Sequence, residues 1–97
     1  MAYWQDSVDE ELKSLSRLAD GFTNKRVLEI GCGNGRITRK YAHQAASIDA
    51  IDPDAAKIEK AIALTSEEMT HVHYHPLAIE DFQATEPYDL VILAWSL

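Results

Sequence analysis

Three of the chain's four glycines stand at alternate positions, Gly31, Gly33 and Gly35, within the run "VLEIGCGNG" at residues 27–35. Backbone free of side chains can come close to a ligand. If a helix follows, its first N–H groups point unpaired at whatever sits there. Glu29 precedes the turn, and Asp52 stands where a second strand should end. Both bring negative charge and acceptor oxygens, and a carboxylate can take two neighbouring hydroxyls at once. Cys32, the only cysteine, lies inside the turn. No Cys–His pairing supports a nucleophile there, and its place reads as a slot for a small residue. His71, His73 and His75 alternate, so they share one face of a strand and could chelate a metal. No acid or cysteine joins them in sequence, so they read instead as the polar side of a half-exposed edge strand, and no metal site is assigned.

The elements that must position these residues alternate in type. Residues 7–22, "SVDEELKSLSRLADGF", place Val8, Leu12, Leu15, Leu18 and Ala19 at helical spacing. Ser7 with Glu10 forms a capping box and Gly21 stands where the helix should stop. "RVLEI" at residues 26–30 is a short apolar run that feeds the glycines, the pattern of a buried parallel strand. "RITRKYAHQA" reads as a helix with Ile37, Tyr41 and Ala45 on one side. "SIDAID" at residues 47–52 is a second strand. Pro53 and Asp54 then open a helix, "AAKIEKAIAL", whose expected buried stripe is Ile58, Ala61, Ile62 and Leu64. "HVHYH" at residues 71–75 is a third strand, "AIEDF" a helical turn, and "YDLVILAW" at residues 88–95 a fourth strand apolar enough to be covered on both faces. This alternation predicts an α/β fold: a Rossmann-like parallel sheet, right-handed crossovers and helices on both faces.

Composition bounds the reading. The 97 residues suffice for one small domain, with 46% hydrophobic and 26% charged residues. No apolar run approaches the ~20 residues that span a bilayer. The polar, acidic start "MAYWQDSVDEE" is neither a signal nor a transit peptide. A lone cysteine excludes an intrachain disulfide, and the expected setting is cytoplasmic. The formal charge of −7 argues against this segment as the main grip on a nucleic-acid backbone.

Spacing selects among glycine turns. A dinucleotide fingerprint needs G-x-G-x-x-G or G-x-G-x-x-A, and here Arg36 fills the last place. The run resembles motif I of the class I S-adenosylmethionine-dependent methyltransferases, E/D-x-G-x-G-x-G, with Glu29, Gly31, Gly33 and Gly35 in register. The resemblance continues through "IDAIDPD" and "YDLVILAW", so it covers the chain from Arg26 onward. It implies S-adenosylmethionine as cofactor and S-adenosylhomocysteine as product. Asp52, beside Pro53, would then grip the ribose hydroxyls, and Glu29 would lie near the methionine ammonium and sulfonium. The turn of Gly31, Cys32, Gly33 and Gly35 would lie against the methionyl and ribose portions. Ile79 would give its backbone N–H to the adenine ring, and the backbone at Ala94 or Trp95 would touch the methionyl end. The acid that the family often uses for the adenine amino group falls at Ala78, with Glu80 or Asp81 as possible replacements. Tyr3 and Trp4 would be unstructured or would close over the methionine end. No catalytic side chain is assigned, because transfer from an activated donor needs mainly positioning and exclusion of water.

Family domains have seven strands in the order 3-2-1-4-5-7-6. This sequence covers the first four, predicting the order 3-2-1-4 and the donor-binding half of a domain. The loops that shape most of the acceptor pocket come later, so the acceptor is open and the chain alone is expected to be inactive. "LVILAW" would stand at a sheet edge and attract a second copy of the chain, antiparallel along residues 88–95, or a completing chain. The alternative reading is a non-catalytic module for ligand binding or assembly.

Overall fold

The computed structural model describes residues 2–5, as backbone, and residues 21–94. The expected N-terminal helix and its Ser7–Glu10 capping box lie outside the described residues, as do Trp95 and the side chains of Tyr3 and Trp4. Five parallel strands form one sheet: β1 (Ala2–Gln5), β2 (Arg26–Ile30), β3 (Ser47–Ile51), β4 (Val72–His75) and β5 (Leu90–Leu93). Two helices, α1 (Arg36–Tyr41) and α2 (Ala55–Leu64), and a 3-10 turn at Ile79–Asp81 complete the described elements.

The spatial order is β1-β5-β2-β3-β4. Without β1 this is the expected 3-2-1-4. Glu29 pairs with Ala50 on one side and Ile92 on the other, which fixes the register of the three central strands. The difference lies at the margin. Ala2–Gln5 runs parallel to Leu90–Leu93, with Ala2 opposite Leu90 and Gln5 opposite Leu93. The edge expected to be open to a second copy is therefore filled by the chain's own first residues. The reason is the one that made the edge look hazardous: an apolar strand with unpaired N–H and C=O groups takes whatever strand is tethered nearby. The strand itself is Leu90–Leu93, shorter than residues 88–95.

The main core lies on one face of the sheet. Val27, Ile48, Ala50, Leu90 and Ile92 from the strands meet Ile37 and Tyr41 of α1 and Ile58 of α2, and the Phe22 ring stacks on Tyr41 at 4.1 Å between centroids. Leu28, Ile51 and Tyr88 form a smaller cluster with Ile30, Phe82 and Val91. Ile37 and Tyr41 are buried as their spacing predicts; α1 stops at Tyr41 rather than running on to Ala45, which is buried in the segment after the helix. The stripe on α2 is narrower than expected. Ile58 and Ala61 are buried, whereas Ile62 and Leu64 are 57% and 51% exposed. This helix packs near β4, the last strand of the sheet, where little sheet remains to cover a wider stripe.

Candidate functional site

All strands are parallel, so β2, β3, β4 and β5 deliver their carboxyl ends to one edge. The chain passes from β2 to β3 on one side, while β5 flanks β2 on the other. Ligands in open α/β sheets bind outside the strand ends at such a switch point. The loop at residues 31–35, Asp52 with Pro53, the turn at Ile79–Asp81 and Ala94 all belong to this edge.

The three glycines have φ of 81°, 57° and 79° in order, all in the left-handed region that disfavours side chains. Their surroundings differ. A Cβ on Gly33 would meet nothing within 4 Å, so this residue borders open space. A Cβ on Gly35 would stand 2.6 Å from Tyr74 Oη and 3.2 Å from Ala61 Cβ. Gly35 is thus bare for packing between α1, α2 and β4, and Gly33 leaves room for a ligand beside it. The loop is tied down by the Gly31 and Cys32 N–H groups, which both donate to Ile51 O, at 2.8 and 3.1 Å. Cys32 is buried, and that burial, with the Glu29 and Asp52 charges, pushes its thiol well above the usual range. It fills the small-residue slot as an inert thiol.

Asp52 sits just past β3, half-buried. Its Oδ2 accepts from the Gly33 N–H at 3.0 Å and its Oδ1 from the Asp54 N–H at 2.8 Å. One carboxylate thereby joins the glycine loop to the start of α2, and each oxygen keeps a lone pair. Pro53 lies exposed in the turn, and Asp54 caps α2 by accepting from the Ala56 and Lys57 N–H groups at 3.1 and 3.2 Å.

Glu29, expected near the methionine ammonium and sulfonium, does not open onto the turn. It is fully buried on the α1 side of the sheet, where its Oε1 accepts from Thr38 Oγ1 at 2.9 Å and Tyr41 Oη at 2.6 Å. Among the described residues its Oε2 has no partner. Burial pushes the carboxyl up from 4.5 to about 7, against the opposing effect of the two hydroxyl donors. Sequence reasoning missed Thr38 and Tyr41; their signal was polar atoms three residues apart on a helix whose other inward residues are apolar.

On the adenine side, Ala78 precedes the 3-10 turn and Ile79 opens it, with the Ile79 side chain 43% exposed. The first N–H groups of such a turn have no partner within it. Glu80 and Asp81 are exposed in the same turn. Ala94 closes the site beside the glycine loop, its N–H donating to Ile30 O at 2.8 Å. The alternating histidines separate: His71 Nε2 meets Ala42 O at 2.6 Å, His75 Nε2 meets Asp49 Oδ1 at 2.9 Å, and His73 is exposed. Among the described residues no three His, Cys, Asp or Glu side chains gather to hold a metal ion.

Comparison with known proteins gives the family. A family described as "Methyltransferase domain" matches residues 27–97. The chain is 34% identical over 71 residues to a ubiquinone biosynthesis O-methyltransferase from Pasteurella multocida, covering 73% of this chain and 29% of that protein. Among solved structures, a putative S-adenosylmethionine-dependent methyltransferase from Listeria monocytogenes is 36% identical with a TM-score of 0.69, covering 88% of this chain and 38% of that one. The N-methyltransferase NodS from Bradyrhizobium japonicum in complex with S-adenosylhomocysteine is 30% identical with a TM-score of 0.70, covering 84% and 42%. The chain spans under a third of the length of the curated relatives it matches.

Proposed function

The chain belongs to the methyltransferase-domain family, and on that premise we propose that it is the donor-binding part of an S-adenosylmethionine-dependent methyltransferase. The observation that carries the reading is the Asp52 bridge. A carboxylate directly after the second central strand holds the N–H of Gly33, a motif glycine that borders open space. A ribose placed there meets an acceptor already oriented, with a spare lone pair on each oxygen. The donor would supply a methyl group activated by its sulfonium. The chain's own residues bind, orient and exclude water around it.

The site fits that ligand. Gly31, Cys32 and Gly33 present backbone to the methionyl and ribose portions, with Gly35 packed behind them. The Ile79 N–H serves the adenine ring, and the Ala94 backbone flanks the methionyl end. Glu29 acts from beneath the loop, buried, through its charge: a cation bound nearby favours its ionised form. The resemblance places the acceptor pocket after the fourth strand, so these residues account for the donor grip and leave acceptor choice to other parts of the protein. We take the setting to be cytoplasmic. The described helices include none long and apolar enough to cross a membrane. A homodimer along residues 88–95 is not part of the reading, because β1 occupies that edge.

Equilibrium dialysis with radiolabelled S-adenosylmethionine tests the proposal. Saturable binding displaced by S-adenosylhomocysteine is expected, with transfer appearing once the acceptor-selecting part is present. Binding with no transfer in the longer protein would favour the non-catalytic module. Absence of binding would remove both readings.

A further inference from the structure

Outside the glycine loop, a polar cluster joins β3, β4 and the residues just before β5. Asp49, three residues before Asp52 on β3, accepts at both oxygens: Oδ1 pairs with His75 Nε2 at 2.9 Å, and Oδ2 accepts from Tyr88 Oη at 2.6 Å. His75 is the last residue of β4, and Tyr88 stands two residues before β5. Between them runs the segment that carries Ala78 and the Ile79–Asp81 turn. Its middle is fastened to the same group, since the Phe82 ring lies 5.2 Å from the His75 ring, tilted by 58°. Its far end is held further by Arg26, whose guanidinium lies 4.9 Å over the Tyr88 ring and donates to Pro87 O and Glu86 Oε2.

We propose that Asp49 is a positioning residue for the adenine side of the donor site, clasping both ends of residues 76–88 through His75 and Tyr88. The inference rests on the donor reading above. A segment of this length has no regular structure apart from one 3-10 turn, so its path depends on where its ends and middle are pinned. Asp49 pins two of the three points directly and the third through the His75 ring. Asp49 lies on β3 and Asp52 follows directly after the strand ends at Ile51, so the clasp fixes the Ile79 N–H relative to the ribose acid. Burial pushes the Asp49 carboxyl up. The Tyr88 and His75 hydrogen bonds and the His75 and His73 charges outweigh it and hold the group below the usual carboxylate range. The cluster therefore favours an ionised Asp49 that can accept on both sides.

The test pairs amide hydrogen exchange with S-adenosylhomocysteine titration on the purified protein and three variants. Tyr88→Phe removes one clasp bond and keeps the ring beneath Arg26, Asp49→Leu removes both bonds, and Asp49→Asn keeps an acceptor for His75 and a polar partner for Tyr88. Tyr88→Phe and Asp49→Leu should speed exchange at residues 77–82 and weaken S-adenosylhomocysteine about tenfold. Exchange within β2 should stay as in the parent, and Asp49→Asn should restore affinity to within about threefold of it. Should Asp49→Leu fail to fold, Tyr88→Phe decides. Unchanged exchange at residues 77–82 in Tyr88→Phe would overturn the proposal, as would uniform loosening that includes β2. If the parent protein bound no S-adenosylhomocysteine, the donor reading would fall, and exchange would still decide whether the clasp exists.

Discussion

Glu29 shows how much a single position can hide. Its place in the motif was legible, because the residue before a glycine turn is fixed by spacing. Its burial was not, because that depends on α1 bringing Thr38 and Tyr41 over it. Burial has a consequence for stability. Below pH 4.5 the carboxyl is protonated in both folded and unfolded chains, and the fold has its full stability. As pH rises from 4.5 through about 7, the unfolded chain releases the proton first, and stability is lost. The gap corresponds to about 3 kcal/mol. Glu29→Gln removes the ionisation, so urea titrations at pH 5 and pH 8 should show the variant gaining on the parent by about that amount. A difference independent of pH would contradict the buried placement. The glycines make a second prediction. Gly33→Ala meets no neighbour and should cost only the left-handed penalty, about 1 kcal/mol. Gly35→Ala adds a clash with Tyr74 and should cost about 3 kcal/mol by the same titration.

Among elements, the central strands and both described helices were readable because their signals are local: apolar runs ending in glycine, and Asp54 placed to cap α2. Asp54→Ala should cost about 1 kcal/mol in thermal or urea unfolding. It should also loosen Asp52, whose Oδ1 depends on the position of the Asp54 N–H. The exposure of Ile62 and Leu64 was not readable, since helical spacing marks a stripe without saying how far the sheet extends beneath it. Nor was β1. Four residues, "AYWQ", carry no period of their own, and their pairing depends on an edge more than eighty positions away in sequence. The clasp at Asp49 is of the same kind. Its three residues lie 26 and 39 positions apart, and only the parallel register brings them together.

For the whole molecule, the order of elements and the motif spacing carried the architecture, and the comparisons place the chain in the methyltransferase-domain family. The same spacing argues against a nicotinamide ligand. Arg36, exposed at the start of α1, stands where a dinucleotide site needs a small residue. NADH should therefore show no saturable fluorescence enhancement, and an enhancement competed by S-adenosylhomocysteine would contradict that view. The central claim is that the glycine turn and Asp52 together form a seat for the adenosyl donor, and calorimetric titration with S-adenosylhomocysteine tests it most directly. The parent protein should bind, and Asp52→Ala should weaken binding by about 1–3 kcal/mol, roughly five- to 150-fold, by stranding the ribose hydroxyls and freeing the loop at Gly33. Equal affinity in parent and variant would contradict the account.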